Sequence, residues 1–208
     1  MDSDDVIELY EALEAFGVEV WVGSGGWGVD ALLGEQTREH ADLDVQARME
    51  DVERLKEILE QRGFSLVEGG SRNNFLLRDG RGREVDVHVI RIDEQGNGIY
   101  RTWGDDDWIY PAEALRGRGW IAGREVRCLT PEMEMICHSA GYEPGEDDFQ
   151  DMRALHERFG VALMGPYAPD QVGGPPSEIG AVTGAKGDLR QLSAVEREVS
   201  RTVLPDVR

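Results

Sequence analysis

Two aspartates follow a glycine-rich turn and a short helical segment within residues 21–45, WVGSGGWGVDALLGEQTREHADLDV. Asp42 and Asp44 stand two positions apart between apolar residues. In an extended strand this spacing puts both side chains on one face, roughly 6–7 Å apart. Carboxylates held in this way can share divalent metal ions, and a glycine-rich entry to a helix can bind the phosphates that accompany those ions. The order of these residues indicates phosphoryl or nucleotidyl transfer.

A third carboxylate lies on a later strand, Glu84–Ile90 (EVDVHVI), where Asp86 and His88 share one face and valines occupy the other. A carboxylate in the middle of an apolar strand is costly unless it is paired, hydrogen-bonded or metal-bound. In-register strand pairing would bring Asp86 to the aspartate pair. We therefore predict that Asp42 and Asp44 hold Mg²⁺, while Asp86 completes a second metal position or accepts the proton of an incoming hydroxyl.

The turn before the aspartate pair is the predicted phosphate site. Gly25, Gly26 and the first amides of the following helix are expected to meet the phosphates, and Ser24 belongs to the same turn. Arg38 can contact a triphosphate or form a solvated ion pair. His40 can orient a carboxylate or touch phosphate. Both alternatives stay open at this stage.

Composition limits the partners. The 208-residue chain has a formal net charge of −20, which argues against a nucleic-acid-binding surface. The charge is compatible with a cationic small substrate and also with a surface adapted to solubility or salt. Its two cysteines, Cys128 and Cys137, are expected to be free thiols of a reducing compartment. No apolar run is long enough to span a membrane, and the acidic start MDSDDVIELY does not resemble a secretory signal, so we expect a cytoplasmic protein.

The periodicity predicts an α+β fold, a small mixed β-sheet with flanking helices and a C-terminal extension. One domain is expected over residues 1–163, with a catalytic core at 18–92 and an acceptor-side region at 93–163. Residues 91–125 are predicted to be irregular, and their segment 103–108 (WGDDDW) suits either a cationic ligand or a solvated acidic loop. Residues 164–208 are predicted to be a Pro/Gly-rich linker and a terminal helix. Helices are predicted at 4–16, 27–33, 51–62, from 131 onward and at 147–159, and strands at 18–22, 43–47, 64–67, 74–78, 84–90 and 125–129.

The chain resembles the antibiotic nucleotidyltransferases of the lincosamide and aminoglycoside type, in the polymerase-beta-like superfamily. The resemblance runs through GGWGVDALLGEQTREHADLDV, VDVHVI at 85–90, REVRCLTPE at 124–132 and HSAGYEPGEDDFQDMRAL at 138–155. It implies Mg²⁺-dependent transfer of AMP from ATP to a hydroxyl of a small antibiotic, which confers resistance. By this likeness Asp42 and Asp44 match the metal-binding pair and Asp86 the third carboxylate. The phosphate-facing turn and the polar residues before the pair are matched by Gly25, Gly26, Arg38 and His40.

An alternative is a nucleotide-binding regulatory or antitoxin-like module that has the same fold and no antibiotic chemistry. Three roles stay open for the extension beyond about residue 163. It can cover the acceptor site, mediate a homodimer or be a simple tail.

Overall fold

The structure, a computed structural model, describes residues 1–102, 106–140 and 143–168. These residues form an α+β fold in which one sheet is covered by helices. The helices are α1 (Ser3–Ala15), α2 (Gly26–Leu33), α3 (Val52–Glu60), α4 (Pro131–His138) and α5 (Glu146–Phe159). The strands are β1 (Val20–Val22), β2 (Asp42–Arg48), β3 (Ser65–Leu66), β4 (Asn74–Arg78), β5 (Glu84–Ile92), β6 (Gly98–Arg101), β7 (Asp107–Tyr110), β8 (Gly117–Ile121) and β9 (Arg124–Cys128).

The sheet is mixed, with strand order β3-β4-β5-β2-β1-β9-β8, and β6 pairs with both β5 and β7. Two neighbouring pairs are parallel, β2 with β5 and β1 with β9, and the others are antiparallel. The tight turn at Asp79–Gly82 joins β4 to β5, as its Asp-Gly sequence predicts. The mixed sheet and flanking helices confirm the predicted fold class.

Helices α1 and α3 cover one face of the sheet. Their apolar residues recur at helical spacing and pack on the inward-pointing valines of the central strands. This main core contains Val6, Leu9 and Leu13 of α1, Leu55 and Leu59 of α3, and Val22, Val45, Val85 and Val87 of the sheet. Because strand side chains alternate, the residues between these valines point to the opposite face.

That opposite face is covered only in part by α2, α4 and α5 among the described residues. A cluster of Val29, Met135, Met152 and Leu155 holds the three helices together. Asp42, Asp44, Asp86 and His88 are half-buried on this face. The two layers therefore leave a polar cleft beside the start of α2.

The predicted helices and strands agree with the structure to within about two residues at most ends, but the prediction that residues 91–125 are irregular is wrong. They contain β6, β7 and β8. Gly117 and Gly119 lie within β8. A Cβ at Gly117 would come within 2.5 Å of the Leu129 carbonyl oxygen, and one at Gly119 would overlap the backbone of Ala31. These glycines permit close backbone approach within a strand.

Trp108, at the end of the predicted WGDDDW loop, is buried and packs near Tyr110, whereas residues 103–105 lie outside the described residues. The terminal helix predicted within 164–208 also lies outside them, since the description ends at residue 168. None of the helices in the described ranges is long and apolar enough to cross a membrane.

Candidate active site

Two carboxylates face each other on the parallel strands β2 and β5. The register pairs Asp44 with Asp86, and His88 stands two residues further along β5 on the same face. One ligand atom from each of these three side chains lies within 4.8 Å of the others. Asn74 on β4 donates from Nδ2 to Asp86 Oδ1 at 2.8 Å, which orients that carboxylate. The strand register thus brings together a donor set that one cation can reach.

Asp42 lies two residues before Asp44 and on the same face, but the register pairs it with Glu84. It is not part of the close group of Asp44, Asp86 and His88 in the described residues. The third member of that group is His88. The assignment of Asp42 as a metal ligand stays a prediction.

The glycine-rich turn lies in contact with the side chain of Asp44. Gly25 is the N-cap of α2 in an extended conformation (φ −164°) and gives the helix no side-chain cap. A Cβ on Gly25 would overlap the Oδ2 atom of Asp44. The next residue, Gly26, lies against His40, and a Cβ there would come within 2.7 Å of Nη2 of Arg38. Four of the predicted site residues therefore meet Asp44 or one another at the start of α2.

Arg38 is held beside this turn by two acidic residues of α5. Its Nη2 donates to Asp151 Oδ2 at 2.7 Å, and its Nη1 is 3.8 Å from Asp147. Burial works to lower the pKa of Arg38, but the hydrogen bond and charge of Asp151 outweigh it and raise the pKa. Arg38 is an ion-pair member at the edge of the predicted phosphate site.

His40 is buried beneath the turn. Its Nε2 is hydrogen-bonded to the buried carboxylate of Asp30, which also accepts a 2.6 Å hydrogen bond from the Thr37 hydroxyl. Its other ring nitrogen, Nδ1, lies next to Gly26 and has no hydrogen-bond partner within the described part of the chain. His40 thus orients a carboxylate and also places a polar atom below the turn.

Replacing His40 with alanine is expected to reduce the free energy of unfolding by about 2–3 kcal/mol. The Asp30 carboxylate, 1% exposed, would lose its buried partner, and unpaired buried charges are costly. Urea denaturation measures the effect. The exposed neighbour Glu39→Ala is the control and should change stability by no more than about 0.5 kcal/mol. A His40→Ala protein as stable as that control would contradict the pairing.

Ser24 differs from the glycines that follow it, because its polar atoms are directed toward the protein. Its N–H donates to both carboxylate oxygens of Glu134, at 3.1 and 3.0 Å. Its hydroxyl accepts a 2.9 Å hydrogen bond from Gln46 Nε2. The same side chain is also within hydrogen-bonding reach of the Tyr110 hydroxyl and the Cys137 thiol. The prediction that Ser24 contacts the nucleotide stays open.

Sequence reasoning missed Glu134, Asn74 and Gln46. Glu134 is fully buried on α4 between Met133 and Met135, and burial raises its pKa to about 8 against the opposing effect of the nearby His138 charge. The one signal in the sequence was a glutamate between two methionines. It was weak, because a glutamate early in a helix is also favoured by the helix dipole.

Facing carboxylates on parallel strands, with a glycine-capped helix beside them, form a site that can hold a metal ion and a nucleoside triphosphate, and the comparisons with known proteins identify the class as nucleotidyltransferase. Residues 5–155 match the aminoglycoside-2''-adenylyltransferase family, and the chain belongs to that family.

The proteins similar to this chain include two curated relatives and a solved structure. A lincosamide resistance protein of Staphylococcus haemolyticus is 25% identical over 150 residues, which are 72% of this chain and 89% of the relative. A 2''-aminoglycoside nucleotidyltransferase of Escherichia coli is 30% identical over 138 residues, 62% of this chain and 69% of the relative. The structure of the lincosamide adenylyltransferase LnuA with lincomycin bound has the same fold, with a TM-score of 0.65 and 23% identity over 73% of this chain and 94% of that one.

These similarities confirm the resemblance to the antibiotic nucleotidyltransferases, and the chain is a transferase of the nucleotidyl type. They do not favour the alternative of a regulatory or antitoxin-like module, because the matched family and the Escherichia coli relative are named as nucleotidyl-transferring enzymes.

Proposed function

We propose that this nucleotidyltransferase transfers AMP from Mg²⁺-bound ATP to a hydroxyl of a lincosamide or aminoglycoside antibiotic, and so confers resistance. The observation on which the proposal rests is the strand register that places Asp44 opposite Asp86 beside the start of α2. Two like charges on facing residues destabilise a sheet unless something compensates them. A divalent cation held by Asp44 and Asp86 would supply that compensation.

The donor set fits a divalent cation. Asp44, Asp86 and His88 offer two carboxylates and an imidazole nitrogen within 4.8 Å of one another, and carboxylate oxygens are the protein ligands that Mg²⁺ prefers. We assign Asp44 and Asp86 to the metal and Asp42 to a second metal position. When bound, the cation neutralises phosphate charge and makes the attacking hydroxyl more acidic.

The start of α2 is the proposed phosphate site. The uncapped amides after Gly25 point along the positive end of the helix dipole, an arrangement that favours anions. Gly26, Arg38 and His40 meet at the same point, so a guanidinium and the Nδ1 atom of a buried imidazole lie next to the amides. Ser24 would contribute its hydroxyl. Because Gly25 and Gly26 have no side chains, the backbone of the turn can approach the phosphates closely.

Asp86 is the proposed proton acceptor for the attacking hydroxyl. The 2.8 Å hydrogen bond from Asn74 to Oδ1 orients the Asp86 carboxylate on the face of β5 that also carries His88. A positioned carboxylate of this kind contributes roughly 100- to 10,000-fold to a proton-transfer step.

The acceptor is proposed to be cationic. Glu143, Glu146 and Asp147 are exposed around the start of α5, and Asp147 lies 3.8 Å from Arg38 at the edge of the phosphate site. With a net charge of −20, the protein's field would draw in a positively charged molecule. We propose that residues 18–92 form the catalytic core and 93–163 the acceptor side. The cytoplasmic location and the homodimer stay predictions.

A pyrophosphate-release screen tests the proposal. The protein is incubated with each of the four ribonucleoside triphosphates and Mg²⁺, together with a lincosamide, an aminoglycoside or no acceptor. We expect release with ATP only when an antibiotic is present, and loss of release on adding EDTA. Binding of ATP without release for any acceptor would contradict transfer to an antibiotic. Release that does not depend on acceptor would indicate hydrolysis instead.

A further inference from the structure

The carboxylate of Glu134 occupies the space beneath the phosphate-binding turn. The side chain is fully buried on α4, and both of its oxygens accept the Ser24 N–H. Ser24 and Glu134 are 110 residues apart in the sequence, so this contact joins the turn to a helix from the other end of the fold. Loss of this acceptor would leave the Ser24 amide without its partner, and an unsatisfied buried donor is costly, so Glu134 anchors the turn.

Two glycines make room for that carboxylate. A Cβ on Gly23 would come within 2.5 Å of Glu134 Oε1, and a Cβ on Gly28 would overlap the same atom. Gly28 belongs to α2, and inside a helix alanine would be the better residue if this space were open. The glycine pattern of the turn and helix is therefore fitted to Glu134 as well as to phosphate.

Ser24 needs such an anchor. Its φ of 65° lies in the left-handed region, which residues other than glycine rarely adopt. Strained backbone of this kind persists when surrounding contacts hold it, and here Glu134 binds the Ser24 amide while Gln46 binds the Ser24 hydroxyl. The conformation of Ser24 in turn sets the direction in which the chain enters Gly25 and Gly26.

His138 contacts the Glu134 carboxylate on α4. His138 is four residues along α4, with its Nε2 3.6 Å from Glu134 Oε2 and its Nδ1 3.2 Å from Asp148 Oδ1 on α5. Burial acts to lower the pKa of His138, but the Asp148 hydrogen bond and the Glu134 charge raise it above the ordinary value. The contacts form a continuous path from α5 through α4 to the turn.

We propose that Glu134 is a positioning residue for nucleotide binding: by holding the Ser24 amide, its carboxylate fixes the turn so that the Gly25 and Gly26 amides face the phosphates. This inference rests on the proposed phosphate site at the start of α2. In this arrangement the Ser24 N–H is hydrogen-bonded within the protein, and the N–H groups of Gly25 and Gly26 are the ones that would bind the phosphates.

Steady-state kinetics of two Glu134 variants test the role, once wild-type transfer has been established. Glu134→Met keeps the length of the side chain and removes the acceptor, and we expect it to raise the KM for the nucleotide about tenfold or more, with the acceptor KM changed less than about threefold. Glu134→Gln keeps an acceptor oxygen and should restore the nucleotide KM to within about threefold of wild type. Val126→Ala, a buried change in β9 away from the turn, controls for general destabilisation and should leave both KM values unchanged.

Equal increases in both KM values, an unchanged nucleotide KM in Glu134→Met, or a glutamine variant as defective as the methionine one would overturn the proposal. Amide NMR of the wild-type protein keeps it testable if the methionine variant does not fold. We expect the Ser24 amide to exchange slowly with solvent, and to stay protected when Mg²⁺ and a non-hydrolysable ATP analogue shift the Gly25 and Gly26 amides. A rapidly exchanging Ser24 amide would refute the anchor even if transfer is observed, whereas a protected one with no transfer would refute only the proposed function.

Discussion

Replacing Asp44 with asparagine is expected to reduce kcat for nucleotidyl transfer by roughly 1,000-fold or more. The neutral amide cannot supply the negative charge that binds the cation. A bound metal ion stabilises the transition state by several kcal/mol. Because each 1.36 kcal/mol corresponds to a tenfold change in rate, its loss is expected to cost roughly this 1,000-fold factor or more. The fold should survive, because asparagine has the same shape. In metal-free buffer the melting temperature should stay the same or rise, since the change removes one of two facing carboxylates.

Glu84→Gln is the matched control for this change. Glu84 lies two residues before Asp86 on β5 and is already neutralised by Arg78, 2.5 Å away. Its substitution should leave kcat within about twofold of wild type, because exposed ion pairs contribute little. Full activity in Asp44→Asn would eliminate the metal role of this carboxylate. Equal losses in both variants would point to a general effect of lost negative charge.

Adding one methyl group at Gly25 is expected to lower kcat/KM by roughly 100-fold. The backbone of Gly25 is extended, a conformation that alanine adopts readily, so the effect does not come from backbone strain. It comes from the overlap between the new Cβ and Oδ2 of Asp44, which forces the carboxylate or the turn to move. A displacement of about 1 Å in a catalytic group can cost this much in rate.

Steady-state kinetics and a Mg²⁺ titration of Gly25→Ala check this prediction, with weaker metal activation expected alongside the lower rate. Gly80→Ala provides the comparison. Gly80 lies in the turn between β4 and β5, and a Cβ there would meet nothing within 4 Å. It should retain wild-type kinetics. Wild-type activity in Gly25→Ala would mean that the turn and Asp44 are not in contact.

The central part of the site could be predicted from local sequence patterns. The alternation in DLDV and EVDVHVI places carboxylates on one face of each strand, and valines on the other face fix which side is buried. In the structure, the pairing of β2 with β5 buries both valine rows against α1 and α3. What the pattern could not give was the register itself, which opposes Asp44 to Asp86 and leaves Asp42 opposite Glu84.

The remainder depended on contacts between distant segments. Glu134 reaches the turn across 110 residues of sequence, and its burial on α4 depends on how α4 packs against α2. Similarly, Gly117 and Gly119 are strand residues because of the backbones they lie against, which a single sequence does not reveal. His88 lies close to Asp44 and Asp86 because β5, which carries His88, is paired in register with β2, which carries Asp44.

The most direct test of the account is a Mn²⁺ titration followed by electron paramagnetic resonance, on wild type and Asp44→Asn, with and without a non-hydrolysable ATP analogue. Mn²⁺ is used because it occupies oxygen-rich magnesium sites and is paramagnetic. We predict that wild type binds Mn²⁺ together with the nucleotide and that Asp44→Asn weakens this binding by at least tenfold while remaining folded. Equal Mn²⁺ binding by both proteins would contradict the assignment of the metal and nucleotide to the Asp44 and Asp86 pair.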